Sequence, residues 1–333
     1  KNQYVLAELE IMKKVGDSIF IDVWGEKQKL YYKNSAILDQ TKSMHNFALT
    51  GVAGYVAPRH LKAIRETGNR LVAALDPFDS VGILDSYFPD CTFFTEYERF
   101  DRYLEKLKRG EKEDQVRWIS ICSPNHLHDA HVRTALRVGA DALCEKPLVI
   151  RPWNLDALSE IEEETGRRVW TVLQLRVHPT IVALKKKLGN ELGTTKHKVD
   201  LTYVTSRGQW YSRSWKGVSH KSGGIATNKG VHFFDMLVWL FGPLEWLEVH
   251  ISNERTCSGF LELANARVSW FLSVDSIYLP NEVRDQGHQS YRSIFVDNEE
   301  IEFTDGFTDL HTEIYKRTLS GQGFGIEDSR PSL

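Results

Sequence analysis

From Met44 onward, short apolar segments of strand length alternate with longer segments of helical period, and this alternation restricts the fold more than any other feature. Asn46 to Thr50 is typical of a strand, a glycine-containing turn follows, Leu61 to Thr67 has helical spacing, and RLVAALD is typical of a second strand. Strands and helices that alternate in this way form a parallel sheet with helices on both faces. The segment 44–169 is therefore predicted to be an α/β domain of this kind.

The pattern changes near Trp170, where longer strand-like segments such as KVDLTYVTSRGQWY, LEWLEVHIS and ARVSWFLSVD replace the alternation. Such segments favour a large, mainly antiparallel, open-faced sheet. A chain of 333 residues is also longer than the ~100–200 residues of a typical domain. We therefore predict a second, α+β domain over residues 170–333. Residues 1–43 carry no recognisable motif, and we expect them to form an extension without an assigned function.

Composition excludes several classes of function. The net charge of −3 provides no basic field for nucleic acid, so an anionic ligand has to be met by local charges. The four cysteines are widely spaced and show no C-x-x-C pattern, which indicates packing residues rather than a disulfide or zinc framework. No apolar segment approaches the ~18–20 residues of a membrane span, and no signal peptide is evident. We expect a cytoplasmic protein with neither a nucleic-acid nor a membrane partner.

The turn after the first strand resembles a dinucleotide-binding fingerprint. Gly51, Ala53, Gly54 and Ala57 form a G-x-A-G-x-x-A variant of G-x-G-x-x-G, in which small residues let the backbone approach a pyrophosphate at a helix N-terminus. Asp76 ends the next strand, where a carboxylate binds ribose hydroxyls and repels a 2′-phosphate. The pattern predicts a Rossmann domain that binds NAD. The alternative is a tight strand-to-helix turn followed by an incidental aspartate.

The segment GADALCEKPLVIRP places two opposite charges directly after a buried strand. Pro147 prevents Glu145 and Lys146 from continuing as a central strand. One interpretation is a surface ion pair, which would contribute little. The other is a functional lysine at the carboxyl edge of the sheet, where ligands of α/β folds bind.

A similar strand-to-helix break occurs at Ser123, Pro124 and Asn125, which follow the strand Val116 to Cys122 and precede a helix predicted from His128 to Val138. The histidines of this region straddle the turn and the helix start, without a carboxylate or thiolate at ligand spacing. We therefore predict no metal site there.

The segment SICSPNHLHDAHVRTALRVGADALCEKPL resembles the signature of the glucose-fructose oxidoreductase and inositol dehydrogenase family, which shares a Rossmann domain and a Glu-Lys-Pro motif. The resemblance extends from Met44 to the C-terminus. Within the family, LQLRVHP and TNKGVHFFDM are similar to the branch that oxidises the 3-hydroxyl of UDP-N-acetylglucosaminuronate with NAD, during synthesis of diacetamido-uronic acid sugars for lipopolysaccharide O-antigen. We expect that nucleotide sugar as the substrate.

The resemblance implies a place for Lys146 beside the nicotinamide and the reacting hydroxyl, where an ammonium stabilises the charge that develops as hydride leaves. Glu145 would orient the lysine or a cofactor ribose. The family's D-x-G-x-H arrangement corresponds to Asn228, Gly230 and His232, which makes His232 the predicted general base.

The predicted base lies in the first turn of a helix expected from Val231 to Phe241, with Asp235 three residues further on. Asn228 stands where the family has an aspartate, and an amide cannot carry a proton away. His232 would therefore act with water or with Asp235.

The remaining site residues follow from the same resemblance. The cofactor-binding residues are Gly51, Ala53, Gly54, Tyr55, Val56, Asp76, Ser123, Pro124, Asn125, His128, Glu145, Lys146 and Gln174. The substrate-binding residues are Lys146, Arg176, His178, Arg207, Trp210, Tyr211, Trp215, Asn228 and His232. Cations and aromatics concentrate between Arg207 and Lys216, as recognition of a phosphate, a carboxylate and a sugar face requires, although an exposed polar loop has the same composition.

Other functions remain compatible with the sequence. Another sugar dehydrogenase or an NAD-dependent glycosidase of this fold would use the same motifs, and so would a non-catalytic NAD-binding regulator. Some relatives reoxidise NADH with 2-oxoglutarate, which makes it a further candidate ligand. The family's open-faced sheet implies a homo-oligomer, expected to be a tetramer.

Overall fold

The computed structural model of the protein describes residues 11–15, 18–23, 26–30, 44–190, 196–301 and 309–333. The chain divides into two compact units, residues 1–44 and 45–333. The first unit contains a three-stranded antiparallel sheet in the order β1-β2-β3. Its strands are β1 (Ile11–Val15), β2 (Ser18–Val23) and β3 (Glu26–Leu30).

The second unit begins with a six-stranded sheet, here called the parallel sheet. Its strands are β4 (Asn46–Thr50), β5 (Arg70–Leu75), β6 (Thr92–Phe94), β7 (Val116–Ile121), β8 (Asp141–Cys144) and β9 (Val169–Thr171). They lie in the order β6-β5-β4-β7-β8-β9, and all neighbours run parallel. This order is that of a Rossmann fold, and it reverses between β4 and β7, where ligand sites of such sheets form. The predicted fold is confirmed.

Five helices accompany the parallel sheet. They are α1 (Ala57–Glu66), α2 (Ile83–Tyr87), α3 (Tyr97–Arg109), α4 (His128–Val138) and α5 (Asn154–Thr165). The helix α4 has the predicted bounds and ends at Gly139, whose φ of 85° is left-handed. The helix α1 begins four residues before the predicted start, because Pro58 is tolerated in a first turn, where its missing N–H is not needed.

A second six-stranded sheet, here called the mixed sheet, follows. Its strands are β10 (His197–Thr205), β11 (Leu244–Ser252), β12 (Thr256–Leu263), β13 (Ala266–Ser273), β14 (Ser290–Val296) and β15 (Glu299–Glu300). They lie in the order β11-β12-β13-β10-β14-β15. Only β10 and β13 pair in parallel, so the predicted mainly antiparallel sheet is confirmed.

Helices α6 (Pro179–Asn190) and α9 (Val231–Phe241) contribute to the core of the mixed sheet, and the short helices α7 (Trp210–Arg213), α8 (Ser219–Ser222) and α10 (Asn281–Asp285) lie in its connecting segments. The helix α9 has the predicted bounds and contributes Phe233, Met236 and Leu237 to a core that also contains Val199 and Trp270. A five-residue π-helical turn, Ala226–Gly230, immediately precedes α9 and determines where its first turn lies.

The C-terminal segment returns to the parallel sheet. Its helices are α11 (Leu310–Leu319) and α12 (Ile326–Ser329). Ile314 and Tyr315 of α11 lie in one buried cluster with Phe47 of β4 and Leu61 of α1. This packing brings His311, in the first turn of α11, to the carboxyl edge of the parallel sheet.

None of the helices in the described part of the chain has the length and apolar composition needed to cross a bilayer. The longest, α3, has 13 residues, whereas a span needs about 20.

Candidate active site

A cavity of about 1190 Å³ lies at the carboxyl edge of the parallel sheet and is lined by residues of both sheets. Pockets for one small ligand are typically about 300–1,000 Å³, so this cavity exceeds the usual range for a single ligand. The predicted site residues that line it are Gly51, Ala53, Gly54, Tyr55, Val56, Asp76, Ser123, Pro124, Asn125, His128, Glu145, Lys146, Gln174, Arg207, Trp215, Asn228 and His232. Four predicted residues lie outside its lining: Arg176, His178, Trp210 and Tyr211.

The glycine turn forms one end of the cavity at the point where the strand order reverses. Gly51 has a φ of +85°, and a Cβ there would lie 2.5 Å from the backbone N of Ser123, so only glycine lets the loops after β4 and β7 come this close. The helix α1 then begins without a carboxylate in its first turn. A helix N-terminus free of negative charge suits an anionic pyrophosphate.

Asp76, at the end of β5, is fixed in place by the turn. Its Oδ2 accepts a hydrogen bond from the backbone N–H of Ala53 (3.0 Å), and its Oδ1 accepts one from that of Phe78 (3.0 Å). The carboxylate is buried yet lines the cavity. Because each carboxylate oxygen accepts more than one hydrogen bond, Asp76 retains capacity for ribose hydroxyls. The turn and this carboxylate together fit NAD.

Loop residues after β7 are connected to their surroundings by buried hydrogen bonds. Asn125 donates from Nδ2 to the carbonyl of Ser222 (2.9 Å). The two ring nitrogens of His128 lie 2.7 Å from the carbonyl oxygen of Pro147 and 2.8 Å from that of Ser123. His128 therefore holds together the loops that follow β7 and β8.

Lys146 enters the cavity from the loop after β8. Its Nζ lies 3.4 Å from the carbonyl oxygen of Asn228, in the π-helical turn. Burial lowers the pKa of the Lys146 ammonium, and the neighbouring charge of Glu145 opposes this shift. The contact places the lysine beside the segment that carries His232.

His232 lies in the first turn of α9 and also lines the cavity. Burial holds the pKa of its imidazole well below the usual value, and the positive charge of Lys146 lowers it further. The imidazole is therefore neutral near pH 7 and can accept a proton.

One of the two predicted roles of Glu145 was to orient the ammonium of Lys146, and the structure does not show this contact. The Oε2 atom of Glu145 accepts a hydrogen bond from the backbone N–H of Lys146 instead, at 3.3 Å. Its Oε1 lies 3.1 Å from Nε2 of His60 and 2.8 Å from Nε2 of His311. Burial opposes ionisation of Glu145, but the hydrogen bonds from the two histidines outweigh it and hold the pKa of the carboxyl well below its usual value. Tyr315 supports the cluster, since its hydroxyl lies 2.8 Å from Nδ1 of His60.

The donor atoms of His60, Glu145 and His311 all lie within 4.8 Å of one another, a spacing that a metal ion could also use. Both histidine Nε2 atoms, however, already lie at hydrogen-bond distance from one oxygen of Glu145. The cluster is therefore best understood as a buried carboxylate with two histidine donors rather than as a cation site.

Asn228 and Tyr211 form a buried pair. The side-chain Nδ2 of Asn228 donates to the Tyr211 hydroxyl at 3.2 Å, while the Asn228 carbonyl faces Lys146. Tyr211 thus supports the π-helical turn from behind rather than lining the cavity. Its neighbour Trp210 is exposed, and the Lys216 ammonium lies 5.9 Å from that ring and 4.5 Å from the ring of Trp215.

Arg176 was expected to point into the cavity, but it does not. Its guanidinium donates to both carboxylate oxygens of Asp235, at 2.7 and 3.1 Å, and to Asp328 at 3.0 Å. This network pairs Asp235 with Arg176, and no hydrogen bond joins Asp235 to His232 among the described residues. His178 is also buried away from the cavity.

Several lining residues escaped the sequence-based prediction. His311, Lys229 and Arg292 line the cavity, and His60 lies behind it. His60 and His311 stand 85 and 166 residues from Glu145, so no local motif connects them. Lys229 was the one residue with an available signal, because it adjoins Asn228 in the TNKGVHFFDM segment.

Comparison with known families supports this architecture. A model described as an oxidoreductase family with an NAD-binding Rossmann fold matches residues 45–173. A second, described as the C-terminal α/β domain of that family, matches residues 185–291.

Among solved structures, the chain is similar to the WlbA (WbpB) dehydrogenase of Thermus thermophilus, with 56% identity and a TM-score of 0.83 over 87% of this chain and 92% of that one. That enzyme has been solved with NAD and alpha-ketoglutarate and with NAD and UDP-GlcNAcA. Among curated relatives, the inositol 2-dehydrogenase of Rhizobium meliloti is 25% identical over 59% of this chain and 54% of its own length. The uncharacterized oxidoreductase sll0816 of Synechocystis is 29% identical over 41% of this chain and 38% of its own length. The chain spans about half the length of the curated relatives it matches.

Proposed function

Because this chain belongs to the glucose-fructose oxidoreductase and inositol dehydrogenase family of NAD-binding oxidoreductases, we propose that it oxidises the 3-hydroxyl of UDP-N-acetylglucosaminuronate to the 3-keto sugar. The observation that carries this proposal is the meeting of Lys146 and His232 in one cavity, on a chain 56% identical to a dehydrogenase solved with NAD and UDP-GlcNAcA. The product would enter the synthesis of diacetamido-uronic acid sugars for lipopolysaccharide O-antigen, in which a partner aminotransferase would consume the ketone.

The proposed chemistry divides between two groups of this chain. The Lys146 ammonium holds the reacting oxygen and stabilises the negative charge that develops on it. His232, which is neutral, accepts the hydroxyl proton at a ring nitrogen. NAD, when bound at the glycine turn, supplies the hydride acceptor.

The substrate itself improves His232 as a base. In the ligand-free cavity, burial and the charge of Lys146 keep its pKa low. A negatively charged nucleotide sugar brings opposite charge near the imidazole, and such a charge favours the protonated form. Substrate binding therefore raises the pKa of His232 as the proton is about to be transferred.

The proposal is tested with the full chain, NAD and UDP-N-acetylglucosaminuronate. We expect absorbance at 340 nm to rise and mass spectrometry to find a product lighter by two hydrogen atoms. NAD binding without turnover would overturn the substrate assignment. Release of the leaving group without net NADH would instead indicate the glycosidase alternative, and absence of any chemistry on a panel of sugars would indicate a regulator.

We also propose 2-oxoglutarate as a second ligand, because the Thermus thermophilus enzyme has been solved with alpha-ketoglutarate and NAD. Its reduction to 2-hydroxyglutarate would consume the NADH that sugar oxidation produces. Addition of 2-oxoglutarate should then abolish the rise at 340 nm while it increases the yield of keto sugar.

A homo-oligomer, expected to be a tetramer, remains part of the proposal. All nine residues of the edge strand β11 are exposed, and Trp246, Leu247 and Val249 are among them. Apolar side chains gathered on one exposed strand are typical of a covered surface. Sedimentation of the wild-type chain and of Trp246→Glu measures whether this strand holds copies together.

A further inference from the structure

Lys229 is a cavity cation that the proposed reaction does not use. It lies in the π-helical turn between Asn228, whose carbonyl faces Lys146, and the helix that carries His232. Gly230 fixes this turn tightly, because a Cβ there would lie 2.5 Å from the ring of Phe234. π-Helical turns of this kind often occur at functional sites. The side chain of Lys229 is therefore placed by the backbone at the reacting end of the cavity.

No carboxylate of the described residues forms an ion pair with Lys229. Its Nζ lies 5.5 Å from the centre of the Tyr211 ring, and the charges that act on it are those of Lys146, Arg207 and Lys216. A half-buried ammonium surrounded by like charges is unfavourable unless an anion joins it. A negatively charged group of a ligand would therefore be a favourable partner for the Lys229 ammonium.

We infer that Lys229 binds the carboxylate of the sugar-acid substrate and thereby makes the cavity prefer a uronate to the corresponding neutral sugar. The inference rests on the proposed function for the identity of the sugar. A carboxylate is favoured over the diphosphate because Lys229 adjoins Asn228, whose carbonyl lies 3.4 Å from Lys146 Nζ, and stands three residues before His232, so it belongs to the segment assigned to the reacting ring. Arg207 and Lys216, on other elements, are left for the diphosphate.

The protonation of Lys229 supports this assignment. Burial lowers the pKa of its ammonium to about 7, and the charges of Lys146, Arg207 and Lys216 add to the shift. A bound carboxylate favours the charged form and raises this pKa. Binding therefore takes up a proton when the pH lies above about 7. As the pH rises further, the affinity for the carboxylate falls by up to about tenfold per pH unit, until the pH reaches the pKa that Lys229 has in the complex.

The other groups that face Lys229 respond differently. The pKa of His232 lies well below the usual value, and that of the Tyr211 hydroxyl is raised, so neither changes charge near pH 7 before the sugar binds. A proton that His232 takes up on binding would still be taken up in Lys229→Arg. Burial also lowers the pKa of Lys146 and of Lys216, so a variant has to separate their contribution from that of Lys229. Lys229→Arg does so, because an arginine remains charged throughout this range.

The test is calorimetry on the NAD-loaded full chain at pH 6 and pH 8, in buffers that differ in ionisation enthalpy. With UDP-N-acetylglucosaminuronate we expect uptake of about one proton at pH 8 and little at pH 6. Lys229→Arg should bind with little change at pH 6 and lose the uptake. Lys229→Met should weaken binding by about 10- to 150-fold at pH 6, as for loss of a charged hydrogen bond. Lys221→Met, which removes a lysine outside the cavity lining, is the matched control and should change nothing.

Two further ligands decide what the lysine binds. UDP-N-acetylglucosamine shares the diphosphate and lacks the carboxylate, so we expect no uptake with it. Equal uptake with both nucleotide sugars would overturn the carboxylate assignment. If neither binds, the proposed function fails, and malonate then tests Lys229 by itself: uptake that Lys229→Arg abolishes upholds the inference, and its absence overturns it.

Discussion

The two walls of the cavity differ in the balance of their charges. The wall built by the parallel sheet contributes four carboxylates and two cations, Asp76, Glu96, Glu98, Glu145, Arg59 and Lys146, whereas the charged residues of the wall built by the mixed sheet are all cations, Arg207, Lys216, Lys229 and Arg292. The first wall depends on backbone conformation and suits a ligand whose hydroxyls need acceptors. The second depends on side chains from separate elements and suits an anion. The difference suits two ligands of different chemistry at opposite walls of one cavity.

The largest expected effect on kcat lies where the two walls meet. There, Lys146 of the parallel-sheet wall faces the segment of the mixed-sheet wall that carries His232. Lys146→Met should lower kcat by about 10²- to 10³-fold, because a stabilising charge is lost. His232→Asn should lower kcat by about 10²- to 10⁴-fold, because the base is lost. Steady-state kinetics at saturating NAD measure both.

Lys216→Met is the control for these two variants. It removes a cation from the wall built by the mixed sheet, and this cation is not assigned to the reacting ring. It should raise KM and leave kcat nearly unchanged. A fall in kcat as large as that of Lys146→Met would mean that the division between reacting and anchoring cations is wrong.

A smaller effect is expected on cofactor affinity, and it should show that the two walls bind different ligands. Asp76→Ala removes the carboxylate that faces the predicted ribose, so NAD affinity should fall by about 10- to 150-fold, the range for hydrogen bonds to a charged group. Affinity for the nucleotide sugar should not change in the same titrations. Discrimination against NADP should also weaken, since the negative charge that repels a 2′-phosphate is gone.

The smallest effect is expected at the Glu145 cluster. His311→Ala removes one of the two histidine donors to the buried carboxylate of Glu145 and should lower the free energy of unfolding by about 1–3 kcal/mol. His311→Gln, which keeps an N–H donor, should retain most of the stability. Denaturant unfolding at pH 7 measures both variants, and equal loss in the two would refute the hydrogen-bond account.

The same cluster predicts how stability depends on pH. The pKa of Glu145 is depressed in the folded chain, so its contribution is fully present above the unfolded value of about 4.3 and is lost as the pH falls below it. His311→Ala should therefore show a weaker decline in stability below about pH 4.3 than the wild type.

Local structure could be predicted from the sequence where periodicity and stop signals agree. The strand at Asn46–Thr50 and the helices at His128–Val138 and Val231–Phe241 have the expected bounds, because uniform apolar runs and glycines mark their ends. The glycine turn and Asp76 were found for the same reason, since the fingerprint is contained in one strand-helix-strand unit.

The second wall could be predicted only in part. Arg176 was expected in the cavity, but whether an arginine faces a ligand or a carboxylate depends on Asp235 and Asp328, which are 59 and 152 residues away. The pairing of His311 with Glu145 has the same origin. Ion pairs between residues far apart in the sequence depend on how the elements pack, and no local motif of a single sequence indicates them.

The return of α11 to the parallel sheet has a consequence for how the molecule is made. Glu145 leaves the ribosome long before His311, and until α11 is synthesised the carboxylate lacks one of its two donors while Phe47 and Leu61 lack the cover of Ile314 and Tyr315. A nascent chain of the parallel sheet alone therefore exposes part of its core. Maturation of the active site is coupled to the synthesis of α11, so a nascent chain that stalls before residue 310 would be a substrate for chaperones and proteases rather than a partly active enzyme.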